Sequence, residues 1–224
     1  MKAIILAGGK GTRLPESAKI IPKALVKIGS KTILQHQIDW LKLHGISDIR
    51  LSLGFRANQI SSCFSGIYQC IVELKPLGTG GAIKLASEGI KEPFLAVNGD
   101  ILTDIDITRF INAFQTSSFP NMMAVYEVPD VSEFGSVVIK GDSILEFSEK
   151  SGTGKGYMNA GVYILSPNVF EKANAGESFS IERDIFPSLA KEGKLGAFIH
   201  NSFWTEVGTE ERLKKAQNNI KNII

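Results

Sequence analysis

The residue types that can do chemistry in this chain are concentrated near its start. Gly8, Gly9, Lys10, Gly11, Thr12 and Arg13 follow a short apolar run. Glycines at such a point let several backbone amides converge on phosphate oxygens, and an arginine adds a fork of donors to the same anion. The string is neither a Walker A loop nor the dinucleotide fingerprint, because the spacing of both motifs differs. Ten residues after Arg13, Lys23 follows Pro22; the proline fixes the approach of the chain, and the lysine can bring a point charge to the same phosphates. Asp100 comes directly after the apolar run ending in Asn98 and Gly99. A carboxylate at that place can share Mg²⁺ with substrate phosphates, although an aspartate closing a turn has the same local pattern. Together these residues point to the handling of a phosphate chain.

Other polar residues carry weaker signals. Glu149 and Lys150 precede Ser151, Gly152, Thr153 and Gly154, where they can reach a polyhydroxylated ligand or stand in solvent. Asn159 and Gly161 sit at the mouth of a strongly apolar run, so the Asn side chain can bond a hydroxyl. Glu206 completes a two-carboxylate metal site with Asp100 if the chain returns to the same edge. Asp106 reads as a helix N-cap rather than a ligand. His36, His44 and His200 have no Ser or Cys partner at a recognisable catalytic spacing, and Cys63 and Cys70 lack the companions of a zinc site.

The elements that must position these residues alternate along the first half. Lys2 to Ala7 reads as a buried strand, Ile33 to His44 as a helix stopped by Gly45, Ile49 to Leu53 as a strand, Gln59 to Phe64 as a short helix and Tyr68 to Leu74 as a strand. Gly78 to Gly81 reads as a loop, Ala82 to Gly89 as a helix and Phe94 to Asn98 as a strand. This alternation is the βαβ pattern of an α/β protein, and it puts Asp100 at the carboxyl edge of a sheet, where open α/β sheets bind ligands. Later strands are expected at Met122 to Val128, Gly135 to Ile139, Ile144 to Phe147 and Tyr157 to Leu165, with a helix at Ile107 to Phe114 and a closing helix from Thr209.

Composition narrows the classes. The 224 residues, 43% hydrophobic and 21% charged, suit one domain over residues 1–224. The 25 basic and 23 acidic residues are dispersed, which argues against a nucleic-acid surface. No apolar run suggests a membrane span and no cleavage-site pattern follows the apolar start, so a cytoplasmic location is expected. The oligomeric state is not legible.

Read together, Ala7 to Leu14, Ile21-Pro22-Lys23-Ala24-Leu25-Val26, Pro76 to Ala82 and Asn98-Gly99-Asp100 resemble the sugar-1-phosphate nucleotidyltransferase family, from Met1 to about Thr209. The resemblance implies a Rossmann-like three-layer sandwich with a mostly parallel mixed central sheet, a nucleoside triphosphate and a sugar 1-phosphate as partners, and Mg²⁺ as cofactor. It places the nucleotide against Leu6, Ala7, Gly8, Gly9, Gly11, Thr12, Arg13, Gly78, Thr79, Asn98 and Gly99. Arg13, Lys23 and Asp100 carry catalysis, Asp100 and Glu206 the metal, and Glu149, Lys150, Asn159 and Gly161 the sugar. Glu206 stands where the family usually has an aspartate. Glu73, four residues before the loop expected under the base, offers a carboxylate to the two adjacent donors of guanine, N1–H and the N2 amino group; a solvated strand residue is the alternative. The string Glu73 to Ile83 is most similar to short enzymes that activate manno-heptose 1-phosphate with GTP, with mannose-1-phosphate guanylyltransferases and small uridylyltransferases close behind. No hexapeptide repeat follows, so an acetyltransferase fusion is not expected. Two competing classes are a non-catalytic nucleotide or sugar sensor and a glycosyltransferase using Asp104-Ile105-Asp106 as an Asp-x-Asp metal site.

Overall fold

A computed structural model describes residues 1–11, 20–149 and 152–219. Thr12, Arg13 and Lys150 lie outside these. The elements in chain order are β1 (Ala3–Leu6), β2 (Lys27–Ile28), β3 (Lys31–Thr32), α1 (Ile33–Leu43), β4 (Ile49–Leu53), α2 (Ala57–Phe64), β5 (Gln69–Val72), α3 (Gly78–Ala86), β6 (Phe94–Asn98), β7 (Ile101–Thr103) and α4 (Ile107–Thr116). They continue with β8 (Asn121–Val128), β9 (Gly135–Lys140), β10 (Ser143–Glu149), β11 (Gly156–Leu165), α5 (Phe186–Lys191), β12 (Leu195–His200), β13 (Trp204–Glu206) and α6 (Glu210–Asn218). A π-helical turn at Ile181–Ile185 leads into α5.

A nine-stranded mixed sheet has the order β5-β4-β1-β6-β11-β8-β12-β10-β9. Continuous parallel pairing is confined to β5, β4, β1 and β6, where helices cross between strands. Beyond β6 the pairing is mostly antiparallel: β9 and β10 form a direct hairpin, and β11 runs against β6, β8 and β9. Only β12 restores a parallel pair, with β8. The sheet is mixed, as expected, and its parallel character belongs mainly to the half made of β5, β4, β1 and β6.

Alternation along the strands builds a core on each face. Ala3, Ile5, Leu51, Leu95 and Val97 pack on one side with Leu34 and Ile38 of α1, Ile60 of α2 and Phe110 of α4. Ile4, Phe94, Ala96 and Tyr163 face the other side with Ile83 of α3 and Phe186 of α5. This gives the three layers. Helix starts are fixed locally: Thr32 accepts from the Gln35 amide at 3.1 Å and Asp106 from the Arg109 amide at 2.9 Å. Asp106 is the cap its position implies.

One boundary needs correction. The segment Gly78 to Gly81 is not a loop before a helix; it is the first turn of α3. The reason is a crossing segment far away in sequence. The Phe179 carbonyl accepts from the Gly80 amide at 3.0 Å, and a Cβ on Gly78 would stand 2.4 Å from that same oxygen. A Cβ on Gly81 would stand 2.6 Å from the Glu177 carbonyl. These glycines let residues 177–181 lie against the helix start.

Candidate active site

The carboxyl ends of β1, β4, β5 and β6 open into a cleft of about 590 Å³. Its glycine wall is the turn after β1. Gly11 adopts φ +61°, the left-handed region that favours glycine, and nothing stands within 4 Å of a Cβ built on Gly9. The Gly8 carbonyl accepts from the Phe55 amide at 3.1 Å, which ties this turn to the turn after β4. Leu6, Ala7, Gly8, Gly9 and Gly11 all line the cleft, and Lys10 and Lys75 add exposed cations to its lining.

Lys23 and Asp100 meet in this cleft. Pro22 caps a single 3₁₀ turn at Lys23–Leu25, which buries Lys23 to 8% exposure. Its Nζ stands 2.7 Å from Asp100 Oδ2 across 77 positions of sequence. Asp100 occupies the tight turn between β6 and β7, and Gly99 makes that turn feasible, since a Cβ there would lie 2.0 Å from the Leu6 carbonyl oxygen. Asn98 and Gly99 line the cleft with Asp100.

A residue that pattern reading left in the apolar stripe of α1 holds this turn. Gln37 is 2% exposed, and its Nε2 donates to the Asn98 carbonyl at 2.8 Å and the Ile101 carbonyl at 2.9 Å. Its helical spacing reads as core; a buried amide among aliphatic neighbours was the available signal that it must have polar partners.

Glu73 enters from the β5 side. Its amide bonds the Leu53 carbonyl at 2.9 Å, and its Oε2 accepts from the Leu77 amide at 3.0 Å. The carboxylate is therefore half-buried in the cleft wall instead of free in solvent. Gly78 and Thr79 line the cleft too, but the Thr79 hydroxyl is turned away: it donates to Glu182 and accepts from the Ile181 amide at 3.1 Å. Only the backbone of Thr79 remains for a ligand.

Asn159 and Gly161 stand behind the end of β6. Gly161 has φ +77° and sits where the β11–β8 register shifts; a Cβ there would be 3.0 Å from Asn98 Nδ2. Asn159 Nδ2 donates to the Tyr163 hydroxyl at 2.8 Å, and Asn159 Oδ1 accepts from the Gly161 amide at 2.9 Å. Asn98 Nδ2 also reaches the Tyr163 hydroxyl, at 3.4 Å, and its Oδ1 has no partner among the described residues. Burial, with the charge of Glu182 next, pushes the Tyr163 hydroxyl well above its ordinary range, so it stays neutral. Glu149 ends β10 opposite Gly135, outside the lining of the cleft described above.

The chain does return from β13 to the Asp100 turn: Glu206 pairs with Ile101 and the Val207 amide bonds the Asp100 carbonyl at 2.7 Å. The carboxylate does not follow the backbone. Glu206 is ion-paired with Arg212 of α6, whose guanidinium also reaches Glu133 and lies 5.0 Å from the Phe134 ring centroid. In this structure the Glu206 carboxylate thus meets a guanidinium, a charge-assisted partner, beside the turn that carries Asp100.

Among the described residues no cluster of three or more His, Cys, Asp or Glu side chains forms a protein-only cation cage. Mg²⁺ does not require one, since it binds through one or two carboxylates plus substrate phosphates and water. Asp100, one-third exposed at its side chain in the cleft, suits that mode. Asp104 does not: it accepts from the Ser202 hydroxyl at 2.6 Å and the Phe203 amide at 2.8 Å, and with Asp106 capping α4 the Asp-x-Asp string is structural. The histidines are structural as well, His36 against the Ile28 carbonyl at 2.9 Å and His200 against Phe203 and Asp104. Cys63 and Cys70 are free thiols. Among the described residues no helix is long and apolar enough to cross a membrane.

The family model described as nucleotidyl transferase matches residues 2–223. The D-glycero-alpha-D-manno-heptose 1-phosphate guanylyltransferase of Aneurinibacillus thermoaerophilus is 30% identical, with 100% of both chains covered. A probable mannose-1-phosphate guanylyltransferase of Oryza sativa is 31% identical over 93% of this chain, which spans 61% of that longer relative. The crystal structure of HddC from Yersinia pseudotuberculosis complexed with GMP-PN superposes with a TM-score of 0.84 at 32% identity, covering 98% of this chain and 99% of that one.

Proposed function

The chain belongs to the nucleotidyl transferase family and has sugar-1-phosphate nucleotidyltransferase activity, and from that premise we propose that it joins GTP and a manno-heptose 1-phosphate to give the GDP-sugar and pyrophosphate. The observation that carries the reading is the Lys23–Asp100 pair, closed at 2.7 Å beside the glycine turn. A cation and a carboxylate able to hold a metal, lining one cleft of about 590 Å³, suit a reaction between two phosphate anions.

In that reaction an oxygen of the sugar phosphate forms a bond to the α-phosphorus of GTP. The bond from that phosphorus to the oxygen bridging the β-phosphorus breaks, and pyrophosphate leaves with the electron pair. Both reactants are anions, so positioning and charge cancellation are the main tasks of the protein. Backbone amides of Gly8 to Gly11 hold the triphosphate, with Arg13 on its outer phosphates. Lys23 bridges the attacking phosphate and the α-phosphate. Asp100 would hold Mg²⁺, which would supply further neutralisation of the phosphate charge when bound. No general base is needed, because a phosphate monoester with a second pKa of about 6 is already ionised near neutrality; this agrees with the structural roles of the histidines.

Glu73 reads the base. A carboxylate accepts from two adjacent donors through its two oxygens, each of which has more than one acceptor site. Guanine presents N1–H and the N2 amino group side by side, whereas uracil presents one donor between two carbonyls. An unpaired polar group at such a contact costs about 1 to 3 kcal/mol. The relatives support guanine: one is a guanylyltransferase and another is complexed with GMP-PN. Asn159, Gly161, Glu149 and Lys150 serve the sugar, residues 1–224 act as one domain, and the enzyme works in the cytoplasm.

The test is a matrix of GTP, UTP, CTP and ATP against manno-heptose, mannose and glucose 1-phosphates with Mg²⁺, read as pyrophosphate release. GTP with the heptose phosphate is expected to give the highest kcat/KM. A maximum with mannose 1-phosphate overturns the sugar, and one with UTP overturns the base.

A further inference from the structure

We propose that Gly54 is a specificity-determining position, because its missing side chain leaves the seat in which the Glu73 carboxylate stands. The inference rests on the reading of Glu73 as the residue that recognises the base. Gly54 follows β4 and lines the cleft beside Gly8. A Cβ built on it would lie 2.2 Å from Glu73 Oε1 and 3.0 Å from Glu73 Cδ. The backbone at Gly54 is outside the left-handed region, so conformation alone does not demand glycine there. What glycine supplies at this position is space, and Glu73 fills it.

The carboxylate has little freedom to stay if that space is taken. Its backbone is tied to Leu53 at 2.9 Å and its Oε2 to the Leu77 amide at 3.0 Å. The severe overlap falls on the far end of a flexible side chain, so a methyl group at position 54 displaces the carboxylate before it displaces the fold. The milder contact of that methyl, 3.2 Å to the Gly8 carbonyl oxygen, asks for a shift of only a few tenths of an ångström. Gly54 acts through Glu73 and is a positioning residue; it also explains why a glycine outside the phosphate turn lines this cleft.

The experiment is a double-mutant cycle of Gly54→Ala and Glu73→Ala, reading kcat/KM for GTP and UTP, calorimetric affinity for GDP and UDP, and thermal unfolding. Gly54→Ala is expected to lower the GTP-to-UTP ratio by about tenfold, within the range that loss of one buried polar contact gives, and to change the ratio by less than about twofold when Glu73 is already Ala. An unchanged ratio in Gly54→Ala, alongside a lowered ratio in Glu73→Ala, overturns the role of Gly54 and leaves Glu73 standing. An unchanged ratio in Glu73→Ala overturns the base reading and this inference with it. If Gly54→Ala fails to fold, a folded double variant supports the overlap with Glu73, and an unfolded double variant overturns it by placing the conflict on the Gly8 backbone.

Discussion

The two halves of the sheet bring residues to the site by different routes. In the half made of β5, β4, β1 and β6, parallel strands end at one edge, so the turns after them converge on a single cleft. Gly8, Gly54, Glu73 and Asp100 all arrive in this way. In the half made of β11, β8, β12, β10 and β9, strands of both directions are mixed, and Asn159 and Gly161 reach the end of β6 from inside a long strand, through a register shift. Position along the chain maps onto position in the site when strands share a direction. Where they do not, long-range pairing decides.

The comparison breaks first if the parallel half does not carry the chemistry. Lys23→Ala is expected to cut kcat by at least about 10², since a charge aimed at reacting phosphates acts mostly in the transition state. Asp100→Asn should lose a similar factor and most of the response to Mg²⁺, because it keeps the volume and removes the charge. Circular dichroism and steady-state kinetics with varied Mg²⁺ check both. A folded Lys23→Ala enzyme with unaltered kcat would take the reacting phosphates away from this pair.

The next effect concerns a helix that serves the parallel half from behind. Gln37→Leu leaves the Asn98 and Ile101 carbonyls without their buried donor, at a cost to stability of about 1 to 3 kcal/mol. It also releases the turn that carries Asp100, and we expect a roughly tenfold loss of kcat with the KM for GTP little changed, because small misplacements of reacting groups are costly. Thermal unfolding and the kcat-to-KM split measure the two parts. A stability loss with unaltered kcat would make Gln37 purely structural.

Legibility follows the same division. The β1, β4, β6 and α1 boundaries, the αN-terminal cap at Asp106 and the course of the chain to Asp100 were readable because local periodicity and the βαβ order are properties of neighbouring residues. The glycines Gly78 to Gly81 could be seen as a special segment, yet the segment 177–181 that requires them lies about a hundred positions away. The Thr79 hydroxyl, engaged with Glu182 and Ile181, was hidden for the same reason. Gln37 was camouflaged by its apolar neighbours. Gly54 had no local signal, since the side chain that fills its space, Glu73, follows the neighbouring strand β5.

In the antiparallel half, Asn159→Ala is expected to raise the KM for the sugar phosphate by about fivefold while the KM for GTP moves by less than about twofold. The side chain links the Gly161 amide to the Tyr163 hydroxyl, and that hydroxyl also meets Asn98 in the lining of the cleft. Initial rates with each substrate varied in turn separate the two. Equal changes in both constants would erase the functional division between the halves.

The smallest effect tests where the returning chain places its charge. Glu206 comes back beside Asp100 through the β13–β7 pairing, but its carboxylate is held by Arg212, which is itself kept in place by Glu133 and the Phe134 ring. Both partners of the Glu206–Arg212 pair are about four-fifths buried at their side chains, 18% and 19% exposed, so the attraction is less screened than at an open surface. Glu206→Gln keeps the shape and removes the charge, leaving Arg212 to the exposed Glu133; a loss of about 1 kcal/mol in stability is expected, at the upper end for partly exposed pairs. If Asp100 alone serves Mg²⁺ while the Glu206 carboxylate stays with Arg212, the half-saturating Mg²⁺ concentration should move by less than about twofold. Thermal unfolding and a Mg²⁺ titration of the rate are read on the same preparation. A tenfold higher Mg²⁺ requirement would mean that Glu206 leaves Arg212 for the cation, and the boundary between the two modes of delivery would then run through β13.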